Sequence, residues 1–122
     1  VDATLELASG NETDIRAYMA DLAQRRLQKQ PLELPSAGST FKRPDGFFAG
    51  KLIQDAGLRG FTIGGAQVSE KHAGFVVNAD NATAEDIRAV IAAVRKRVLD
   101  EAGVEMQPEV RMWGFGDNPL AE

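Results

Sequence analysis

The sequence contains no cysteine in 122 residues. A disulfide framework, a thiolate metal site and a cysteine nucleophile are therefore excluded. It has one histidine, which removes two-histidine metal motifs, and no metal is expected. Positive charge is not in excess: 14 Lys and Arg against 18 Asp and Glu give a formal net charge of −4. A nucleic-acid partner, which needs a basic face to neutralise phosphates, is not expected. Apolar runs of membrane-spanning length are missing too, so no membrane partner is expected. Val1-Asp2-Ala3-Thr4-Leu5-Glu6-Leu7 has neither an initiator Met nor the basic and apolar regions of an export signal. The expectations are a chain that starts within a longer protein and a cytoplasmic location.

What remains is a composition with 43% hydrophobic and 26% charged residues, which suits one soluble globular domain of this length. Val1, Ala3, Leu5 and Leu7 alternate with polar residues, the period of a strand with one buried face. Asn11, three residues before Asp14, resembles a helix cap, and Ile15, Tyr18, Met19 and Leu22 recur at helical spacing, which predicts a helix over 12–27. Arg25, Arg26 and Lys29 near its end complement the helix dipole. Pro35-Ser36-Ala37-Gly38-Ser39-Thr40 reads as a loop, and 49–56 as a short helix ended by Gly57. Phe61-Thr62-Ile63 and Gly74–Asn78 read as short strands. Thr83 and Asp86 make a capping-box start for a helix whose stripe is Ile87, Val90, Ile91, Val94 and Val98, ending near Gly103. Val104–Met106 and Val110–Trp113 read as strands, and the residues from Gly114 onward as a frayed tail. The mixture without a regular strand-helix repeat predicts a single α+β domain with an antiparallel or mixed sheet covered by helices. Its expected divisions are a strand over 1–10 that completes an adjacent domain, the domain proper over 11–116, and a tail over 117–122.

Four clusters stand out as candidates for chemistry: Pro35–Pro44 (Pro-Ser-Ala-Gly-Ser-Thr-Phe-Lys-Arg-Pro), Ala49-Gly50-Lys51-Leu52-Ile53, Ile63–Gly74 (Ile-Gly-Gly-Ala-Gln-Val-Ser-Glu-Lys-His-Ala-Gly) and Pro108-Glu109-Val110-Arg111. None is a nucleophile elbow, a P-loop or a dinucleotide fingerprint, and spacing alone assigns no reaction class. In this order and spacing they resemble the C-terminal third of the UDP-N-acetylenolpyruvoylglucosamine reductases, over nearly the whole chain.

That resemblance implies a flavoenzyme of peptidoglycan precursor synthesis. NADPH reduces FAD, and hydride passes to the enolpyruvyl group of UDP-N-acetylglucosamine enolpyruvate to give UDP-N-acetylmuramate. It places the proton-donating serine at Ser39, and at Glu109 the glutamate beside the intermediate's carboxylate, where a neutral carboxyl kept so by burial would donate a hydrogen bond. Substrate contacts carried over are Lys29, which needs a small gap in the match, Arg59, where another member has lysine, and His72, where it has glutamine. Read without the resemblance, Ser39 is a loop serine bonding its backbone, Glu109 an exposed strand glutamate, and His72 a surface donor. Arg25, Arg26, Lys42 and Arg43 read equally well as solvated charge. Gly38, Gly46, Gly64 and Gly65 fit either close approach to a substrate or ordinary turns. Phe47, Phe48 and Trp113 read as core or domain-interface residues.

The family's glycine-rich flavin-binding segments are missing, so FAD is expected to be held mainly by N-terminal domains outside this chain, and the chain alone to be inactive. A tyrosine-bearing loop found before the serine in some members has no room here, which places the chain with the shorter subclass. An exposed apolar patch and self-association are expected of the isolated piece. Two readings from other classes stand beside this one: a nucleotide-sugar binding module without catalysis, and a small α+β interaction domain.

Overall fold

The computed structural model describes residues 1–120. Its elements in chain order are α1 (Glu12–Lys29), β1 (Ser36–Ser39), α2 (Ala49–Asp55), β2 (Thr62–Ile63), β3 (Ala66–Val68), β4 (Phe75–Asn78) and α3 (Ala84–Ala102). The strands form one antiparallel sheet in the order β1-β4-β3-β2. This is the α+β domain expected from sequence, with the sheet antiparallel throughout.

α3 forms for the reasons written in its sequence. The Thr83 side chain accepts from the Asp86 N–H at 3.1 Å, and Asp86 Oδ2 accepts from the Thr83 N–H at 2.9 Å. These bonds satisfy two N–H groups that a helix start leaves unpaired. Gly103 ends the helix in the left-handed region at φ 67. Between the caps, Val90, Ile91, Val94 and Val98 are buried against Ile53, Ala66, Val68, Val76 and Met106, which fixes α3 across one face of the sheet. β2 and β3 are joined by the two-residue turn Gly64–Gly65, with Ile63 opposite Ala66. A Cβ on Gly65 would lie 1.8 Å from the Asp80 carbonyl oxygen, and one on Gly64 would lie 2.4 Å from the Asp86 carboxyl. The hairpin tip is thus packed under the start of α3, and close approach to Asp80 and Asp86 accounts for both glycines without a ligand.

The sheet differs from the sequence reading at β1, at β3 and in two segments after α3. The expected loop is β1, which pairs Ser36 with Val77 and Ser39 with Phe75 across a bulge. The bulge contains Gly38 at φ 83, a conformation open to glycine and strained for other residues. β3 went unread because Ala66-Gln67-Val68 carries a single β-branched residue. Val104–Met106 and Val110–Trp113 are not strands; the one pairing there is an isolated antiparallel bridge between Phe41 and Pro108. Met106 is fully buried and Val104, Val110 and Met112 pack partly against the core, so their apolar spacing serves packing and not a ladder. Val1–Leu7 is irregular and exposed, with no partner strand among the described residues.

α1 runs two residues beyond expectation, capped by Asn11 accepting from the Asp14 N–H at 3.1 Å. It buries none of its residues: Ile15, Tyr18, Met19 and Leu22 are exposed on one face. Phe47, Phe48 and Trp113 are exposed as well, so none belongs to the core. The expected tail is held to α3, where Arg88 donates to the Pro119 carbonyl at 3.1 Å and Leu120 packs on the core. Residues 121 and 122 lie outside the described residues.

The Thr83 N–H, then the Thr83 hydroxyl and the Gly65 N–H, hold the Asp86 carboxyl below the ordinary aspartate range. A carboxyl lowered in the folded state adds stability that is complete above its ordinary pKa and is lost as pH falls through the lowered one. Thr83→Ala is expected to cost about 1 kcal/mol in urea unfolding at neutral pH. Asp86→Ala removes the lowered carboxyl itself, so acidification should narrow the gap between wild type and Asp86→Ala; a gap that stays constant through the carboxylate range would count against the capping box.

Candidate substrate cleft

A cleft of about 440 Å³ opens beside the end of β1, between α2 and the loop that joins β3 to β4. Its walls carry Ser39, Arg43, Lys51, Arg59, Lys71 and His72, with Phe41, Phe48 and Gln54 between them, and no aspartate or glutamate. In a chain of net charge −4, that concentrates positive charge where an anion would sit.

Local structure explains how each side chain gets there. Ser39 is the last residue of β1 and is exposed at the cleft. Its neighbour Thr40 is 3% exposed and fully engaged: the Thr40 N–H donates to the Gly74 carbonyl at 2.9 Å, and the hydroxyl accepts from the Val76 N–H at 3.0 Å. The Thr40 carbonyl accepts from the Glu109 N–H at 2.8 Å. The loop after β3 is wound around Ser69, whose hydroxyl accepts from the Lys71 and His72 N–H groups, both at 3.2 Å. His72 then folds back, with Nδ1 accepting from the Gly74 N–H at 3.0 Å and the ring set edge-on to Phe75 at 4.9 Å. An acceptor Nδ1 carries no proton, so the neutral ring holds its hydrogen on Nε2. A Cβ at Gly50 or Gly74 would lie 3.2 or 2.9 Å from His72 Cε1, so these glycines make the slot in which the imidazole sits.

The cations divide into two kinds. Lys51 pairs with Asp55 at 2.8 Å, and Lys71 pairs with Glu33 at 3.4 Å. The Glu33 carboxyl is held below its ordinary range first by its own backbone N–H and, against desolvation, more weakly by Lys71. Arg43 and Arg59 have neutral partners instead. Arg43 lies 4.1 Å over the Phe48 ring and donates to the Phe47 carbonyl. Arg59 donates to Gln54 Oε1 at 2.7 Å and to the Glu70 carbonyl. Among the described residues neither arginine has a carboxylate partner, so their charge is the charge left for a ligand.

Of the five residues singled out from sequence, Ser39, Arg59 and His72 line this one cleft. Glu109 is exposed and does not line it, but its backbone is bonded to the residue after Ser39. Lys29 ends α1, exposed and outside the cleft wall. Sequence reasoning missed Gln54 and left Arg43 among the solvated charges. Lys51 and Lys71 stood inside the quoted clusters, but nothing in their spacing announced that Asp55 and Glu33 would neutralise them.

Fold and cleft define a small α+β domain that presents a cation-lined site suited to an anionic ligand. Residues 30–113 match the family model described as UDP-N-acetylenolpyruvoylglucosamine reductase, C-terminal domain. The reductases of that name from Clostridium beijerinckii and Lachnoclostridium phytofermentans are 60% and 57% identical to the chain, over 92% and 98% of it. The crystal structure of UDP-N-acetylenolpyruvylglucosamine reductase from Thermus caldophilus superposes with a TM-score of 0.70 at 31% identity over 88% of the chain. The chain belongs to this family of C-terminal domains. It spans 37% and 38% of the length of the two relatives and 38% of the Thermus chain.

Thr40→Val keeps the side-chain volume but leaves the Val76 N–H, in the buried strand, without its acceptor. A cost of about 1–3 kcal/mol is expected in urea unfolding, whereas Ser39→Val one residue earlier should cost under about 1 kcal/mol because Ser39 is exposed. Equal costs would contradict the role given to Thr40.

Proposed function

We propose that the chain is the substrate-binding part of a cytoplasmic bacterial reductase that converts UDP-N-acetylglucosamine enolpyruvate to UDP-N-acetylmuramate, and that it supplies the proton donor. The observation that carries this reading is that Ser39, Arg59 and His72, expected from sequence to serve one substrate, share one cleft with no acidic side chain on its walls. The substrate's diphosphate and carboxylate are the anions such a cleft suits, with Arg43 and Arg59 as their partners. His72 contributes an Nε2–H donor. Lys29 is assigned a contact only if substrate extends past the cleft toward the end of α1.

The described residues contain no flavin fingerprint of their own, while Ser39 is exposed at the cleft, which leaves space for a donor presented by another domain. FAD held by such a domain and reduced by NADPH would supply the hydride. Once hydride has joined the terminal vinyl carbon, the electron pair of the former double bond rests on the neighbouring carbon and spreads into the carboxylate. Ser39 Oγ gives its proton to that carbon, forming the new C–H bond, and regains one from solvent. The serine need not be a strong acid, because the carbanionic carbon is a strong base and alignment decides the rate. Glu109, in neutral form, would donate to the substrate carboxylate as negative charge gathers there. The burial that this form requires is not supplied by the described residues and is assigned to the substrate and the covering domain.

The exposed face of α1 and the apolar residues before it are assigned to that same neighbouring domain. In the isolated chain they are left open, and light scattering at high concentration should show self-association; a strict monomer would count against it. In the full-length enzyme, Ser39→Ala is expected to leave flavin reduction by NADPH at the parental rate and to slow reoxidation by substrate about 10²- to 10⁴-fold. Reoxidation at the parental rate would remove Ser39 from the role of donor.

A further inference from the structure

We infer that Gln54 is a positioning residue for substrate binding, and that it acts by fixing the Arg59 guanidinium in the cleft. The inference rests on the proposed reading of the cleft as the site of an anionic substrate and deepens it.

Arg59 follows α2 in the short link to β2, is exposed, and has several rotatable bonds that would otherwise let its charge wander. Two oxygens restrain it from different elements: Gln54 Oε1 in the last turn of α2, 2.7 Å from Nη2, and the Glu70 carbonyl, bonded to Nη1, in the loop after β3. Each terminal nitrogen has one N–H tied down, which leaves one N–H on each and the Nε–H for a phosphate or carboxylate. The Gln54 oxygen is neutral, so it orients the guanidinium without forming the ion pair that occupies Lys51 three residues earlier. Of the two restraints, the Glu70 carbonyl is backbone and present whatever the side chain. The Gln54 oxygen is set by sequence alone. Without it, the side-chain entropy lost on ordering Arg59 would be charged to substrate binding.

The test uses the full-length reductase and its UDP-sugar substrate. Gln54→Met removes the oxygen at nearly the same volume and should raise KM about fivefold to tenfold, with kcat within about twofold and the unfolding midpoint unchanged. Gln54→Glu keeps an acceptor oxygen but pairs with Arg59 and puts a carboxylate on the cleft wall, so it should raise KM at least as far as Gln54→Met does. Arg59→Met separates the two levels of the argument. If it leaves KM unchanged, the reading of the cleft falls and the inference with it. If Arg59→Met raises KM but Gln54→Met does not, or if Gln54→Glu keeps the parental KM, the inference alone is overturned.

Discussion

The geometry of the site hangs on Thr40. Its N–H, hydroxyl and carbonyl are all used, and they tie the end of β1 to Gly74, to Val76 in β4, and to Glu109 in the segment after α3. A buried hydroxyl that accepts from a backbone N–H is stabilising only while both partners stay matched, because an orphaned strand N–H costs more than the bond contributes. That asymmetry locks Ser39, one residue before, in register with Phe75, and brings the backbone of Glu109 alongside. The bulge at Gly38 supplies the extra residue that lets β1 keep this register. Phe41, on the other side of Thr40, is buried in the core, so the anchoring of the serine is continuous with the packing that holds the domain together.

Around that anchor, charge is sorted rather than merely accumulated. An acidic chain can serve an anion if its carboxylates stay off the cleft wall and its cations are aimed at it. Lys51 and Lys71 are compensated by Asp55 and Glu33, exposed pairs that contribute little to stability. Arg43 and Arg59 are held by an aromatic ring, an amide and carbonyls, which restrain without neutralising. His72 is treated in the same way, wedged between two glycines with Nδ1 committed to the backbone. Restraint by neutral partners is the form of preorganisation that leaves charge and donors available for a ligand.

How much of this could be read from sequence depended on whether the signal was local. α3 was legible end to end because Thr83, Asp86, the apolar stripe and Gly103 each announce one part of a helix. β1 was not: Ser36-Ala37-Gly38-Ser39 has no apolar alternation, and it is a strand only because β4 offers a partner. The opposite failure occurred at 104–106 and 110–113, where apolar spacing suggested strands but the apolar side chains are spent on packing against the core around α3. Ser39, Arg59 and His72, which the family resemblance pointed to, line one cleft. Gln54 and the division of the cations went unseen, since they depend on which side chains the fold brings within bonding distance.

α1 buries none of its residues, and Ser39 is exposed at the cleft. The central claim is that substrate lies in this cleft with its reacting carbon at Ser39. It is tested most directly by a crystal structure of the full-length enzyme with bound substrate. The account predicts the Ser39 hydroxyl about 3–3.5 Å from the carbon that takes the proton, with the anionic groups against Arg43 and Arg59. A substrate seated elsewhere, or a serine turned away from that carbon with the cleft empty, would contradict it.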